Sequence, residues 1–323
     1  MKFCSTFLMA LSMGLSFVSI STSAQEAFPS KRITLIVPFP AGSATDNTAR
    51  RIGQELAKAT NQTVIVDNKP GGDGNIAAMQ AVRSDPDGHT IFITTNSTQA
   101  ANINLFKSLP FDPYKDLAPV TGLVTIPIML VVRADHPART IAEYMALAKS
   151  AAKPVTFGTN SQTGRGAGEL FKERSKLNLL NVPYKGSPQA LTDLMGGHVD
   201  SLFVDPVSAS GLLQKGDVRA LAATSAMRAA VQPNVPTLAE SGFPGFELTA
   251  WIAAYVPAKT PPAAVAKLNQ LLTGILRDPA TAEYLSSNGA TPFPTTPEQL
   301  AAHSEADTKR WAQVVQAAKM EKQ

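Results

Sequence analysis

Small polar residues recur where predicted strands end and helices begin, and nearly all of them are uncharged hydrogen-bond donors. Such side chains, together with backbone amides at helix starts, can hold an anion without a Lys or Arg. Loops of this kind that face each other from two parts of the chain would form a clamp for a small anionic solute. The segments are residues 41–43, 74–75, 96–98, 159–161 and 184–186, and Asp205.

The first of these segments follows a short β-rich apolar run, Ile33–Val37, which is typical of a strand buried on both faces of a parallel sheet. Pro38 and Pro40 end the strand, because neither can donate to a ladder. Gly42 supplies a turn, and residues 43–46 match a capping box that begins a helix. The helix N-terminus therefore lies just beyond a strand's carboxyl end, where open α/β sheets bind ligands.

An ordinary structural role is the alternative for each position taken alone. Ser43, Ser187 and Asp205 are placed as helix N-caps, and Gly42 and Gly74 as turn residues. Cap residues are common, so no single one of them predicts a binding site. The convergence of six such loops favours the site.

The order of the elements predicts a parallel, doubly wound α/β architecture. Three strand–loop–helix units follow one another, and residues 95–99 form a polar loop after the third strand. The long apolar run at residues 120–132 suits a strand that leaves one domain and enters another. The pattern then restarts and includes a helix predicted from about residue 165 to 175. We therefore expect two α/β domains with a cleft and two crossings between them. They are residues 25–126 with 225–323, and residues 127–224.

The first 24 residues are typical of a secretory signal peptide. Lys2 precedes an apolar stretch, and residues 21–24 are small and suited to signal peptidase. We predict cleavage after Ala24 and a periplasmic mature chain, with an uncleaved membrane anchor as the alternative. The single cysteine, Cys4, lies in this segment, so the exported chain should have no disulfide and no cysteine metal site.

The charge balance excludes one class of partner. The chain has 29 Lys and Arg against 25 Asp and Glu, a formal net charge of +4, and no run of basic residues. A small, dispersed excess gives no support to nucleic-acid binding. Beyond the signal peptide no apolar run is long enough to span a membrane.

Several motifs together resemble one family, the Bug-type solute receptors of tripartite tricarboxylate transporters. The matching segments are residues 38–46, 68–77, 182–186, 196–197 and 236–242. The resemblance covers essentially the whole mature chain and includes the spacing of the motifs.

The resemblance implies a type II periplasmic binding-protein fold. It also implies capture of a small carboxylate in the cleft by the loops after Val37 and around Thr159. The ligand would be a di- or tricarboxylate, an aromatic acid or an acidic amino acid, held by main-chain amides, hydroxyls and water. The partners would be the membrane subunits of the transporter, and the receptor would be a monomer without a cofactor or metal. The residues expected around the ligand are Phe39, Ala41, Gly42, Ser43, Asp46, Asn75, Asn96, Ser97, Thr159, Asn160, Ser161, Arg165, Tyr184 and Asp205.

Two residues depart from the family pattern. Ser43 stands where a second glycine is usual, and Arg165 stands where a His is common, after a loop that is shorter and less glycine-rich. Arg165 could hold a second carboxylate, or it could be a surface charge at a helix start. Both alternatives stay open. The resemblance therefore implies that this chain binds a carboxylate, but it does not identify which one.

An exported enzyme acting on a small organic acid is the competing class, and a ligand sensor for a two-component system is another alternative. None of the four histidines lies in an H-E-x-x-H pattern, and the sequence has no G-x-S-x-G elbow. Asp205 could serve as a general base, but nothing near it in sequence supplies a nucleophile. An exported structural module would explain neither the cleft nor the polar loops. The sequence therefore favours a binding protein that is not an enzyme.

Overall fold

A computed structural model of the protein describes residues 28–323, and the predicted signal peptide, its cleavage after Ala24 and Cys4 lie outside the described residues. No helix in the described span has the length and apolar composition needed to cross a membrane. The strands are β1 Ile33–Val37, β2 Val64–Asn68, β3 Thr90–Thr95, β4 Leu117–Pro127, β5 Met129–Arg133, β6 Val155–Thr159, β7 Leu179–Pro183, β8 Ser201–Val204, β9 Val218–Ala223, β10 Thr249–Pro257 and β11 Thr291–Pro292.

Helices cover both sheets. They are α1 Ala44–Thr60, α2 Asn75–Val82, α3 Asn102–Leu105, α4 Ile141–Ser150, α5 Gln162–Ser175, α6 Ser187–Met195, α7 Pro206–Lys215, α8 Pro262–Arg277, α9 Pro279–Ser287 and α10 Pro297–Ala317, with a 3-10 turn at Gly72–Gly74 and a π-helical segment at Ser97–Ala101.

The first sheet has the strand order β11-β4-β10-β3-β1-β2. β1 lies parallel to β2 and to β3, with Leu35 opposite Val66 and Ile91, and β10 runs antiparallel to β3 and β4. Buried residues of β1 contact α1 on one face, through Ile52 and Leu56, whereas α2 and α10 cover the other face. We call this sheet with α1–α3 and α8–α10 the first lobe.

The second sheet has the order β7-β6-β8-β5-β9. β6 is parallel to β7 and β8, while β5 is antiparallel to β8 and β9. We call this sheet with α4–α7 the second lobe. In both sheets, the parallel strands supply the loops that approach each other between the lobes, because their carboxyl ends lie at one edge.

The chain passes between the lobes twice, and Thr224 ties the two passages together. The apolar run at 120–132 divides at Ile128, between β4 of the first sheet and β5 of the second. The backbone amide of Thr224 donates to the Ile128 carbonyl at 2.8 Å, and its hydroxyl donates to the Leu248 carbonyl at 2.6 Å. Thr224 is fully buried, so these bonds are shielded from water.

The return to the first sheet occurs later than the predicted start at residue 225. Thr237 forms a parallel bridge with Ala223 at the edge of the second sheet, and Phe243 packs edge-on against Phe171 of α5. Residues 225–248 therefore lie against the second lobe, and the first sheet resumes at Thr249. Because proline and glycine interrupt any periodic pattern in this stretch, the sequence did not indicate which lobe it packs against.

Three local predictions were wrong. Residues 97–101 are helical rather than a polar loop, because the segment is fully buried and its backbone needs internal partners. Helix α5 begins at Gln162, three residues before the predicted start, with Ser161 as its N-cap. Gly186, not Ser187, is the N-cap of α6. The Ser187 hydroxyl instead accepts a hydrogen bond from Asn160 Nδ2 at 2.7 Å.

Glycines in α5 let this helix approach both lobes closely. A Cβ on Gly168 would lie 2.2 Å from the Phe157 ring of β6, and one on Gly166 would lie 2.8 Å from the Trp311 ring of α10. Neither position leaves room for a methyl group. Glycine at both positions is therefore needed for α5 to pack between its own sheet and the first lobe.

We expect Gly168→Ala to destabilise the protein by about 1–3 kcal/mol, because the added methyl overpacks the core against Phe157. The matched control is Gly274→Ala in α8, where a Cβ would meet nothing within 4 Å. This second change should stabilise by about 0.5–1 kcal/mol through helix propensity. Urea unfolding of both variants measures the difference, and equal effects would contradict the assigned packing.

Candidate functional site

A cavity lies between the lobes where α1, α5 and α7 begin. The space between its atoms is about 410 Å³, part of which is open to solvent. Its wall combines apolar side chains with side chains that carry hydroxyl or amide groups. The lining residues are Phe39, Ser43, Ala44, Thr45, Thr95, Asn96, Ser97, Ile126, Ile128, Asn160, Ser161, Thr163, Ser187, Asp205, Ala250 and Ile252.

The loop between β1 and α1 presents free amides to this cavity. Ser43 caps α1 as predicted, with its Oγ accepting from the Asp46 amide at 3.3 Å. The reciprocal bond of the predicted capping box is not formed, because the Asp46 carboxylate accepts from the Gly42 amide and the Ser43 amide donates to the Pro40 carbonyl. The Ala44 and Thr45 amides, next in the helix, have no acceptor within residues 28–323. They carry the positive end of the α1 dipole, so an anion in the cavity finds two donors and a favourable field there.

Asp46 fixes the shape of this loop from beneath. Its Oδ2 accepts from the Gly42 amide and from Arg50 Nε, each at 2.9 Å, and its Oδ1 accepts from Asn68 Nδ2 at 2.9 Å. Burial by itself raises the pKa of Asp46, but these bonds from Arg50, Gly42 and Asn68 outweigh it and hold the pKa below its usual range. Asn68 also donates to the Phe39 carbonyl at 2.9 Å, which ties the loop to the end of β2.

The second lobe contributes the start of α5. Ser161 caps the helix by accepting from the Gly164 amide at 3.2 Å, and Thr163 is the second residue of the helix. The Thr163 hydroxyl donates to Asn96 Oδ1 of the first lobe at 3.1 Å. This hydrogen bond crosses the cleft and joins the two sides of the cavity.

Two further contacts bring the rims of the lobes together. Gly186 lies so close to Pro40 that a Cβ on it would be 2.7 Å from the proline ring. A Cβ on Gly42 would lie 3.5 Å from Pro188, and Gly42 has φ +82°, which favours glycine. The described structure is therefore the closed arrangement of the cleft.

Asp205 is the one ionisable side chain among the cavity-lining residues. It is 7% exposed and caps α7, with Oδ1 accepting from the Ser208 amide at 2.7 Å and Oδ2 from the Ser208 hydroxyl at 3.1 Å. Burial raises the pKa of Asp205. Across the same cavity the Ser97 hydroxyl is 1% exposed and has no hydrogen-bond partner in the described chain.

Half of the predicted ligand residues line the cavity. They are Phe39, Ser43, Asn96, Ser97, Asn160, Ser161 and Asp205.

The structure places the other seven away from the cavity wall. Ala41 and Gly42 are exposed on the rim, and Asp46 lies beneath the loop with its oxygens engaged. Asn75 accepts from Asn102 Nδ2 at 2.9 Å. Thr159 donates to the Asn181 side chain at 2.9 Å.

Arg165 and Tyr184 lie in a neighbouring depression that also includes Asp73. The Tyr184 hydroxyl donates to Asp193 at 2.9 Å, and burial, with the Asp193 carboxylate beside it, raises the pKa of Tyr184 to about 12. No group of three or more potential metal ligands occurs in the described part of the chain.

Sequence reasoning missed the apolar wall and part of the polar one. Ile126 and Ile128 belong to the crossing run, which was taken only as a connection, and Ile252 lies on β10, opposite Thr95. A buried strand also requires apolar residues, so nothing in the local sequence distinguished residues that line the cavity from residues that only pack in the core. Ala44 and Thr45 could have been found, because they follow the predicted N-cap.

Two α/β lobes joined by two crossings, with a cavity between them where helices begin, are the architecture of the type II fold of solute-binding proteins. The chain is similar to the periplasmic binding protein BugD, with a TM-score of 0.87 and 31% identity, over 92% of this chain and 100% of that one. The predicted fold class is confirmed.

The chain belongs to the tripartite tricarboxylate transporter family of receptors, because the TctC model of that family matches residues 48–320. Protein BugT of Bordetella pertussis is 32% identical over 293 residues, 90% of each chain. Rpa4515 of R. palustris with adipate has a TM-score of 0.89 at 32% identity, over 92% of this chain and 100% of that one. MatC from Rhodopseudomonas palustris with bound malate has a TM-score of 0.83 at 32% identity, over 89% and 100%. The resemblance to Bug-type receptors is confirmed, and family membership implies a periplasmic location.

We expect Asp46→Asn to destabilise the protein by about 1–3 kcal/mol near pH 7, because it weakens the bonds from Gly42 and Arg50. The folded-state pKa of Asp46 is lowered, so its contribution is complete above the unfolded pKa of about 3.9 and is lost as pH falls through the folded value. The stability gap between wild type and variant should therefore shrink below about pH 4.

Urea unfolding of the wild type and of Asp46→Asn, near pH 7 and below about pH 4, measures the difference in their free energy of unfolding. The matched control is Asp85→Asn, an exposed change in a surface turn, which should have little effect at either pH. A gap that stays constant as the pH falls would contradict the role of the Asp46 charge.

Proposed function

We propose that this protein captures a small carboxylate in the cavity between its lobes and delivers it to the membrane subunits of a tripartite tricarboxylate transporter. One observation carries the proposal: the free amides of Ala44 and Thr45 at the start of α1 line a cavity whose wall includes no Lys, Arg or His. Backbone donors at a helix N-terminus are suited to a carboxylate, and they cost no reorganisation when it arrives.

The rest of the wall supports an organic acid rather than an inorganic anion. Ile126, Ile128, Ile252 and Phe39 supply apolar surface beside the polar end. A hydrocarbon portion of the ligand would be buried there. Adipate and malate, present with the two similar R. palustris proteins, both combine carboxylates with a short carbon chain.

We also infer that the bound acid is not turned over. Asp205 is the one titratable side chain in the wall, and both its oxygens accept hydrogen bonds from Ser208. Ser43 and Ser161 serve as helix caps. A nucleophile paired with a base, which covalent hydrolysis requires, is absent from this set of lining residues.

Export and assembly complete the proposal. We propose that the mature chain begins at Gln25 and acts as a monomer with two domains that correspond to the two lobes. Mass measurement of periplasmic protein and its sedimentation test both points. Uptake of a labelled ligand that is lost when the membrane subunits are deleted would support delivery, whereas unchanged uptake would favour sensing.

Carboxylates should stabilise the folded protein and their amides should not. An acid at about a hundred times its Kd adds roughly 2.7 kcal/mol to the free energy of unfolding. The panel comprises di- and tricarboxylates, aromatic acids and acidic amino acids, each with its neutral amide as the control. Thermal unfolding measures the shift in Tm. Equal shifts with acids and with amides would contradict anion binding at the start of α1.

Gly186→Ala should weaken ligand binding about tenfold or more while leaving the free protein folded. Gly186 has an extended φ of −177°, so alanine introduces no backbone strain, but its Cβ meets Pro40 when the lobes close. The control is Gly211→Ala in the same lobe, where a Cβ has open space.

Small-angle scattering with saturating ligand separates the two Gly variants. Wild type and Gly211→Ala should become more compact, and Gly186→Ala should stay expanded. Full compaction and unchanged affinity in Gly186→Ala would show that rim contact is not part of binding.

A further inference from the structure

The charge of the cavity wall is unusual for a site that takes an anion. Its single ionisable side chain is an acid, Asp205, and its wall carries no cationic side chain. A carboxylate ligand that faced this acid with no proton between them would be repelled, and burial would strengthen the repulsion. The ligand group that faces Asp205 is therefore expected not to be an unprotonated carboxylate.

Asp205 keeps hydrogen-bonding capacity toward the cavity. Each of its oxygens accepts one bond from Ser208, through the amide or the hydroxyl, and a carboxylate oxygen can accept more than one. Asp205 as a whole residue is 7% exposed, so bulk water has little access to it. A remaining lone pair is therefore expected to bind a polar group inside the cavity.

The Ser97 hydroxyl gives an independent indication of a polar ligand group. It lines the same cavity, is 1% exposed and has no partner among the described residues. A buried hydroxyl without a hydrogen bond is costly, so a polar atom of the ligand is expected near it. Besides the amides of α1, the Ser97 hydroxyl and the Asp205 carboxyl group are thus two cavity-lining groups with hydrogen-bonding capacity left for a ligand. An ionised Asp205 can accept a hydrogen bond but cannot donate one.

We propose that the ligand is a carboxylic acid that also carries a hydrogen-bond donor, a hydroxyl or an ammonium group, and that Asp205 accepts from this donor while the α1 amides hold the carboxylate. Asp205 is then the residue that selects hydroxy and amino acids over plain acids of equal length. This inference depends on the proposed carboxylate function and narrows its substrate class.

The test uses pairs of acids that differ only in the donor. Malate and aspartate are each compared with succinate, 2-hydroxyglutarate and glutamate with glutarate, and mandelate with phenylacetate. Titration calorimetry of the wild-type protein should show tighter binding of the donor-bearing member in at least one pair by about ten- to a hundredfold, the range for a hydrogen bond to a charged group.

Asp205→Asn should remove most of this preference, mainly by weakening the donor-bearing acid. Asn is as good an N-cap as Asp, so α7 is preserved. Asp205→Ser, another good cap, provides a second variant should the first fold poorly. The matched control is Asp278→Asn at the cap of α9, where the side chain also accepts from a backbone amide, far from the cavity. The control should keep the wild-type ratio.

The two donor types are separated by the size of the loss. An ammonium group loses a charge pair in Asp205→Asn and should suffer more than a hydroxyl. Equal affinity for both members of every pair that binds, or a preference that survives in both Asp205 variants, overturns the inference and leaves carboxylate binding intact. Failure of every acid to bind overturns the proposed function and this inference with it.

Discussion

Asp46 is the constraint on which the candidate site depends. A helix cannot satisfy its first amides, and in α1 two of those amides are left for a ligand. They face the cavity only because the preceding loop is held rigidly, and the Asp46 carboxylate holds it through Gly42, Arg50 and Asn68. The site therefore recognises an anion with backbone atoms, while the nearby acidic side chain serves the scaffold.

The lobes depend on a second tie of the same kind. Thr224 joins both passages of the chain between the sheets, with its amide bonded to Ile128 and its hydroxyl to Leu248. These bonds are buried, so the two passages are held together away from water, whereas at the rim the lobes meet through Pro40 and Gly186. Two lobes joined by short passages are an arrangement in which a hinge can close the cleft.

Much of the fold could be predicted from the sequence, because strand and helix signals in this chain are local. Three features that were predicted correctly depend on neighbours in sequence: the N-cap at Ser43, the end of β1 at its prolines and the division of the run at 120–132. What failed depended on distant partners. Residues 97–101 are helical because they are buried. The Ser187 hydroxyl accepts a hydrogen bond from Asn160 of another loop instead of capping a helix.

The same limit applies to the candidate site. Polar residues at strand ends were identifiable, and seven of them line the cavity. Arg165 and Tyr184 belong to comparable loops, yet they lie in the neighbouring depression, which shares only Asn160 and Ser161 with the cavity. Chain position indicates which loops surround a site, but only side-chain direction decides which residues reach it.

The packing of Trp311 against Gly166 has a consequence for spectroscopy. The chain contains two tryptophans, and both are buried. Trp251 lies on β10 with its indole nitrogen donating to Asp307 at 2.9 Å, so both partners belong to the first lobe. Trp311 instead rests on a helix of the second lobe. We therefore expect the emission of Trp311 to change when the lobes separate and that of Trp251 to stay constant. The two signals together would report ligand binding in the native chain without an attached dye.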